Sequence, residues 1–207
     1  MKLNKLIKVL ALAGVVGSGT AQAALVDRGG GMIYDTDLNI TWLADANYAR
    51  TSGYDADGRM NWNAANAWAA GLTYGGFSDW RLPTSDGCYG YNCTGSEMGH
   101  LYYTELGGTY NSSILFSGDP DLSLFQNITS FIYWSGTVYA PDPVSNAMAF
   151  ILIGHQGYGL QSNEFYAWAV RDGDVASAVP EPGSALLVGL GLAGLAATRR
   201  RRALGAA

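Results

Sequence analysis

The stretch AMAFILI, residues 147–153, decides the fold, and it lies between Asn146 and Gly154. A continuous apolar run of this length is typical of a strand that is buried on both faces of a sheet. Residues 133–139 precede it and residues 165–171 follow it, and both segments are rich in strand-forming residues. The last third of the chain therefore predicts several neighbouring strands.

Upstream of these strands, the pattern predicts two short strands and then two helices. Residues 31–34 and 38–43 read as strands around a turn-forming Asp-Thr-Asp cluster. Residues 61–72 have helical spacing of their apolar side chains and an asparagine cap at Asn61 or Asn63, and residues 96–106 form a second helix that ends before two glycines. The order strand, helix, helix and then several strands predicts a single α+β domain with a mainly antiparallel sheet.

The C-terminal end carries a short motif, an apolar run and a basic cluster, in that order. They are Val179, Pro180, Glu181 and Pro182, then residues 184–197, then Arg199, Arg200, Arg201 and Arg202. As a helix, the apolar run would span about 21 Å, which is less than the roughly 30 Å of a bilayer core. The arginines would hold the C-terminus in the cytoplasm. We predict a marginal transmembrane helix over residues 184–197 that suits transient retention in the inner membrane.

This arrangement over residues 180–202 resembles the PEP-CTERM sorting signal of Gram-negative bacteria. The resemblance implies recognition by an exosortase, a membrane transpeptidase that cuts near the motif and releases the protein to the cell surface or matrix. An ordinary single-pass anchor, which would stay in place, is the alternative.

The N-terminal end has the pattern of a secretory signal peptide. Three lysines precede a short apolar run at residues 9–16, and Ala21 and Ala23 then form a small-x-small cleavage site. We predict that signal peptidase removes residues 1–23. The exported domain then spans residues 24–179.

The exported domain is strongly acidic. It contains 16 acidic residues, five arginines and no lysine, which gives a net charge of about −11. Nucleic acid is disfavoured as a partner because its phosphate backbone is bound by basic patches. The acidity is compatible with cations, neutral glycans or simple solubility.

Cys88 and Cys93 are the only cysteines of the chain. Because the signal peptide would send them to an oxidising compartment, we predict a disulfide between them. The closed loop is small, so the bond should add only about 2 kcal/mol of stability. A redox or metal-binding role is the alternative.

Four short motifs follow one another along residues 30–173. They are DL and TW within residues 37–42, GGFSDWRLPT at residues 75–84, LFQN followed by YWSGT within residues 124–137, and AVRDG at residues 169–173. Together they resemble the Lcl C-terminal domain family, named after the terminal domain of a bacterial collagen-like adhesin. The resemblance implies a compact α+β fold akin to C-type lectins and formylglycine-generating enzymes, and some members bind sulfated polysaccharides. This chain departs from the family at Trp168-Ala169, where members often carry a cysteine.

We interpret the motif residues mostly as scaffold. Tryptophans combine a large apolar body with a single hydrogen-bond donor, which suits burial, and arginines can clamp carboxylates or backbone carbonyls. The residues in question are Trp80, Arg81, Leu82, Pro83, Tyr133, Trp134, Ser135, Val170 and Arg171.

Alternating acids offer candidate calcium ligands at Asp35 and Asp37 and again at Asp55 and Asp57. Neither site has a complete EF-hand pattern, and acids at this spacing also form turns. We expect no firmly bound cofactor, with calcium at these loops as the alternative.

The sequence has no nucleophile elbow, phosphate loop or zinc-protease motif, so we expect no enzyme activity. We predict an exported, non-catalytic binding module for a glycan, an exopolysaccharide or another envelope component. The alternatives are an oxidase of the formylglycine-generating type and a purely structural matrix protein.

Overall fold

The apolar run forms the centre of a six-stranded sheet in the computed structural model of the protein, which describes residues 25–175. The strands of this part of the chain are β1 Leu25–Asp27, β2 Met32–Asp35, β3 Ile40–Leu43, β4 Arg59–Met60, β5 Gly90–Tyr91, β6 Ile132–Val138, β7 Asn146–Ile151, β8 His155–Leu160, β9 Phe165–Tyr166 and β10 Val170–Asp172. The larger sheet has the order β4-β9-β6-β7-β8-β5, and the smaller sheet has the order β1-β2-β3-β10.

Strand β7 confirms the prediction of a strand buried on both faces. It pairs antiparallel with β6 on one side and with β8 on the other, and residues 147–150 along it are all buried. The turn into β8 requires glycine at position 154. The φ of Gly154 is 88°, and a Cβ there would lie 2.3 Å from the Tyr103 hydroxyl. Strand β8 itself was not predicted.

The helices agree with the predicted positions but not fully with the predicted type. Helix α2 spans Trp62–Gly71, and the side chain of Asn61 caps it by accepting from the backbone N–H of Ala64. The second predicted helix begins as α3, Glu97–His100, and continues as a π-helix over Leu101–Glu105. The remaining helices are α1 at Tyr48–Thr51 and 3-10 turns at Ile114–Phe116 and Pro120–Leu124.

The prediction of one strand over residues 165–171 is wrong, because the chain changes sheets there. Strand β9 pairs parallel with β6 in the large sheet, whereas β10 pairs antiparallel with β3 in the small one. Between them Trp168 is fully buried, and its indole N–H donates to the carbonyl of Leu43 at 2.7 Å. This anchor draws the chain away from the large sheet.

A single core connects the two sheets and α2. Trp134 is fully buried, as predicted, and its indole N–H donates to the carbonyl of Met60 at 2.8 Å. Trp62 of α2 donates in the same way to the carbonyl of Ser135 on β6. The architecture is α+β with mainly antiparallel sheets and few short helices.

The last residues of the domain are held by three ion pairs, which we call the terminal clamp. Arg171 pairs with Asp79 at 2.8 Å, and Asp174 pairs with Arg28 at 2.6 Å. Between them Asp172 contacts Arg81. The clamp ties β10 and Asp174, two residues beyond it, to segments far away in sequence.

The predicted signal peptide, expected as a helix before the domain, and the predicted transmembrane helix lie outside residues 25–175. Within that range no helix is both long and apolar enough to cross a membrane.

Candidate functional site

Six exposed or half-exposed rings form a continuous band, which we call the aromatic surface. In order of contact they are Tyr139, Tyr158, Tyr89, His155, Tyr91 and Tyr110. Tyr89 and Tyr110 are more than 60% exposed, and Tyr158 is 46% exposed. Large rings usually pack inside, so a contiguous exposed group of them indicates a contact surface.

The large sheet places most of these rings. His155 and Tyr158 lie on β8, and Tyr91 lies on β5, where it pairs directly with His155. Tyr139 immediately follows β6, two strands away from β8. A sheet supplies a rigid base, which fixes the spacing of the rings before any ligand arrives.

The tightest contact of the band is the pair Tyr139 and Tyr158. Their ring centroids are 3.9 Å apart and the planes differ by only 13°, so the rings are stacked. Partial burial and the neighbouring Tyr158 both raise the pKa of the Tyr139 phenol. The phenol is therefore neutral at physiological pH, and the stack presents uncharged faces and edges.

The disulfide loop brings Tyr89 to the band. Cys88 and Cys93 are bonded to each other, which confirms the predicted disulfide. Tyr89 contacts both Tyr158 and His155, at centroid distances of 5.8 and 5.6 Å. The bond and the ring contacts together fix the loop of residues 86–93, which contains Gly87 and Gly90.

Gln156 also holds the disulfide loop in place, through hydrogen bonds from its side-chain amide. Its side chain is fully buried, and its amide donates to Asp86 Oδ1 at 2.7 Å and to the carbonyl of Cys88 at 2.8 Å. Gln156 lies on β8 between His155 and Gly157. One strand therefore carries two rings of the band and also holds the loop that carries a third.

A cleft of about 450 Å³ opens beside the stack. Residues 85–89 of the disulfide loop form one wall, residues 137–141 form the other, and Met148 contributes from β7. Both Tyr89 and Tyr139 line it. A cleft of this size, with apolar walls and a few polar groups, has the character of a small-ligand or sugar site.

The paired arginine side chains of the domain lie away from the cleft. Four of the five arginines within residues 25–175 pair with carboxylates, namely Arg28, Arg59, Arg81 and Arg171. Arg81 contacts both carboxylate oxygens of Glu97, at 2.8 and 2.7 Å. Burial by itself would lower the pKa of Arg81, but the hydrogen bonds that its guanidinium donates to Glu97 and Asp172 raise it overall. None of the four contributes to the lining of the cleft.

All of the family-motif residues except the half-buried Arg81 lie in the core, and none of them lies on the aromatic surface. Trp80, Leu82, Tyr133, Trp134, Ser135 and Val170 are at most 2% exposed. Pro83 is buried as well, and its carbonyl accepts from the Ser135 hydroxyl at 2.8 Å. Arg171 is 9% exposed and its guanidinium lies over the ring of Phe77 at 4.1 Å.

Three of the four predicted calcium ligands, Asp35, Asp55 and Asp57, close turns by accepting backbone N–H groups, whereas the Asp37 carboxylate lies 3.7 Å from His100 Nε2. Asp55 Oδ1 accepts from the backbone N–H groups of Asp57 and Gly58, and Asp57 pairs with Arg59. Asp35 Oδ1 accepts in the same way from Asp37 and Leu38. Asp35 differs from the other three because its side chain is fully buried.

Sequence reasoning singled out the disulfide loop but missed the aromatic surface. The sequence does contain a signal for this surface, because tyrosine and glycine are adjacent in YGY at residues 89–91 and in GYG at residues 157–159. Glycine leaves the neighbouring ring uncovered, because it has no side chain to pack against it. The predicted processing residues, Ala21, Ala23, Val179–Pro182 and Arg199–Arg202, lie outside the described part of the chain.

Comparison with family models gives two matches. The model described as the Lcl C-terminal domain matches residues 31–171, and the model described as the PEP-CTERM protein-sorting motif matches residues 178–202. Comparisons with curated proteins and with solved structures gave no match.

Proposed function

The chain belongs to the Lcl C-terminal domain family, and from this membership we propose that its domain is a non-catalytic binding module for an uncharged polysaccharide. The aromatic surface and its cleft form the binding site. The single observation that carries the proposal is the stacked pair of Tyr139, which lines the cleft, and Tyr158 beside it.

Stacked, exposed rings suit a sugar ligand. A pyranose ring has a face of C–H groups, which packs against the face of an aromatic side chain, and its hydroxyls are satisfied by nearby polar groups or water. Tyr89, Tyr139 and Tyr158 offer such faces within one contiguous band. Asp86, whose carboxylate lies at the cleft beside Gln156, offers an acceptor for a sugar hydroxyl.

Charge favours an uncharged polymer over a sulfated one. A sulfated chain needs several cationic groups, whereas residues 24–179 carry a net charge of about −11. The arginines that pair with carboxylates in the core and at the clamp are not available to a second anion. We propose that this member of the family differs in ligand charge from its sulfate-binding relatives.

The sorting motif implies processing by an exosortase and export to the envelope of a Gram-negative-type cell. We propose further that the cut falls near Pro182 and that signal peptidase has already removed residues 1–23. The mature protein would then be residues 24 to about 182, released to the cell surface or matrix after a transient stay in the inner membrane. A C-type-lectin-like arrangement of the domain is part of the same proposal.

The binding half is tested with the exported protein on a panel of neutral and sulfated polysaccharides. We expect retention on at least one neutral polymer and loss of at least tenfold in affinity in Tyr158→Ala. Tyr54→Ala is the matched control, because Tyr54 is 60% exposed but lies outside the band. Equal loss in both variants, or retention on sulfated polymers alone, would overturn the proposal, and no retention on any polymer would favour a structural matrix protein.

The sorting half is tested by the intact mass of the protein recovered from the cell surface. We expect a mass that lacks the residues beyond about Pro182. Surface material that still contained Arg199–Arg202 would show a permanent anchor instead.

A further inference from the structure

Three side chains with metal-binding atoms meet at a place separate from the residues of the aromatic surface. They are Asp35 at the end of β2, His100 at the end of α3 and Glu105 at the end of the π-helix. One nitrogen or oxygen of each lies within 4.8 Å of the other two. His100 Nε2 is 3.2 Å from Glu105 Oε1, and Asp37 Oδ2 lies 3.7 Å from the same nitrogen.

The π-helix is what brings His100 and Glu105 together. On a regular α-helix, residues five apart point about 140° away from each other around the axis. A π-helical turn closes its hydrogen bonds between residues five apart, as Leu101 and Leu106 do here. The wider turn therefore places Glu105 on the same side as His100. Such turns are frequent at functional sites.

The cluster contains a buried carboxylate oxygen that lacks a protein partner. Asp35 is fully buried, and while its Oδ1 accepts two backbone N–H groups, its Oδ2 has no hydrogen bond among the described residues. The indole N–H of the neighbouring Trp42 forms no hydrogen bond of normal geometry with it. A buried charged oxygen without a partner is costly, so the arrangement is incomplete as it stands.

Two buried carboxylates next to each other add to that cost. The Asp35 and Glu105 carboxylates each place an oxygen within 4.8 Å of the other, so their negative charges repel at short range. Glu105 is only 6% exposed. A cation held between the two would offset both the burial and the mutual repulsion.

We propose that Asp35, His100 and Glu105 form a binding site for a divalent transition-metal ion of the zinc type, with Asp37 at its rim. An imidazole nitrogen together with carboxylate oxygens is a ligand set of such ions, whereas calcium takes oxygen ligands alone. Two carboxylates, a neutral imidazole and a divalent ion carry no net charge, which suits a buried site.

The spacing is close to what the ion needs. Ligand atoms bound at about 2.1 Å in a tetrahedron lie about 3.4 Å apart, and the His100 to Glu105 separation is 3.2 Å. The longest separation, below 4.8 Å, asks for side-chain shifts of only about 1 Å. The side of the cluster at Asp37, whose side chain is 40% exposed, gives the ion an entry route.

The ion would act structurally, because its ligands come from β2 on one side and from α3 with its π-helical extension on the other. It would therefore raise the stability of the folded domain. This site uses none of the residues of the aromatic surface. The metal proposal and the polysaccharide proposal consequently stand or fall separately.

The test uses the full chain, purified in detergent and stripped of metal with a chelator. Calorimetric titration with Zn²⁺ should show one site, and saturation should raise the melting temperature. Co²⁺ in place of Zn²⁺ should give visible absorption of tetrahedral intensity. Failure of Zn²⁺, Mn²⁺ and Co²⁺ to bind saturably, or a response to Ca²⁺ alone, would overturn the proposal.

Variants separate this site from adventitious binding to the acidic surface. Glu105→Gln keeps the side-chain volume and His100→Gln removes the nitrogen ligand, and each should weaken Zn²⁺ binding at least tenfold and abolish the Co²⁺ absorption. Asp55→Asn is the matched control, because Asp55 closes its turn away from the three ligands, and it should bind as the unmodified chain does. If His100→Gln fails to fold, Glu105→Gln alone decides the matter, and unchanged binding in it would overturn the proposal.

Discussion

The buried tryptophans of the core and the exposed tyrosines of the aromatic surface are the same class of residue used in opposite ways. Trp134 and Trp168 are fully buried, and each indole N–H donates to a backbone carbonyl of another segment. Tyr89 and Tyr158 contact each other at the surface and leave 65% and 46% of their area exposed. The core rings have no face left for a ligand, whereas the surface rings do.

The residues of the family motifs are therefore different from the residues at which we expect ligand binding. The motif segments around residues 80–83, 133–135 and 170–171 supply core packing and ion pairs. The rings of the aromatic surface lie outside those motifs. The two groups share only the large sheet, whose strand β6 contains residues 133–135. Changes in the core should therefore act on stability, and changes at the surface should act on binding.

The largest effect is expected at Trp134. Replacing it with alanine should cost about 3–5 kcal/mol, because it leaves a large cavity and removes the hydrogen bond to Met60. A domain of this size is typically stabilised by about 5–15 kcal/mol in total, so folded protein should hardly accumulate. Denaturant unfolding measures the change. A near-normal melting temperature with lost binding would place Trp134 in a ligand site and break the comparison.

Arg81 should come next. Arg81→Ala leaves the Glu97 carboxylate, whose side chain is 14% exposed, without its bidentate partner, and should cost about 3 kcal/mol. Arg81→Lys should recover less than half of the loss, because an ammonium lacks the planar fork. Urea unfolding of both variants checks this order. Full wild-type stability in Arg81→Lys would show instead that charge alone matters here.

The disulfide connects the two regions, so its removal should affect both. Cys88→Ser should lower the free energy of unfolding by about 2 kcal/mol without unfolding the domain. It should also weaken polysaccharide binding, because Tyr89 follows Cys88 directly. Thermal melts and the binding assay on the same sample test both effects, and a thiol assay on the exported protein should find no free thiol.

The smallest effect is a pH dependence at Asp79. Its hydrogen bonds to Arg171 lower the pKa of Asp79 below the usual value. The pair therefore stabilises the fold above about pH 4, and this contribution is lost as the pH falls through the lowered pKa. Because half of the Asp79 side chain is exposed, the contribution is at most about 1 kcal/mol. Asp79→Asn should be less stable at pH 7 and should lose this part of the acid sensitivity in melts from pH 7 to pH 3.

Local patterns were sufficient for the parts of the fold that depend on neighbouring residues. The asparagine cap and periodic apolar face predicted α2, the unbroken apolar run predicted β7, and two cysteines five residues apart predicted the disulfide. Each of these features is determined within about a dozen residues. The order of the predicted strands and helices also predicted the α+β class.

Features that depend on long-range contacts were missed or wrong. Strand β8 reads HQGYGL, whose glycines weaken any strand signal, and it forms because β7 needs a partner on that side. The switch of sheets between β9 and β10 depends on the bond from Trp168 to Leu43, 125 residues away. Asp35 meets His100 only after β2 and α3 have packed, and the π-helical turn that adds Glu105 has no sequence signature that we recognised.

The terminal clamp also determines how the domain carries mechanical load. If the tail holds the protein in the membrane while the aromatic surface binds a polymer, as proposed above, the force enters the domain through β10, the last strand before the tail. This edge strand would peel from β3 one hydrogen bond at a time, but the three ion pairs at Arg171, Asp172 and Asp174 resist that peeling at the point where force enters. Tension during the proposed retention in the membrane would therefore enter the small sheet at the strand that these three ion pairs hold in place.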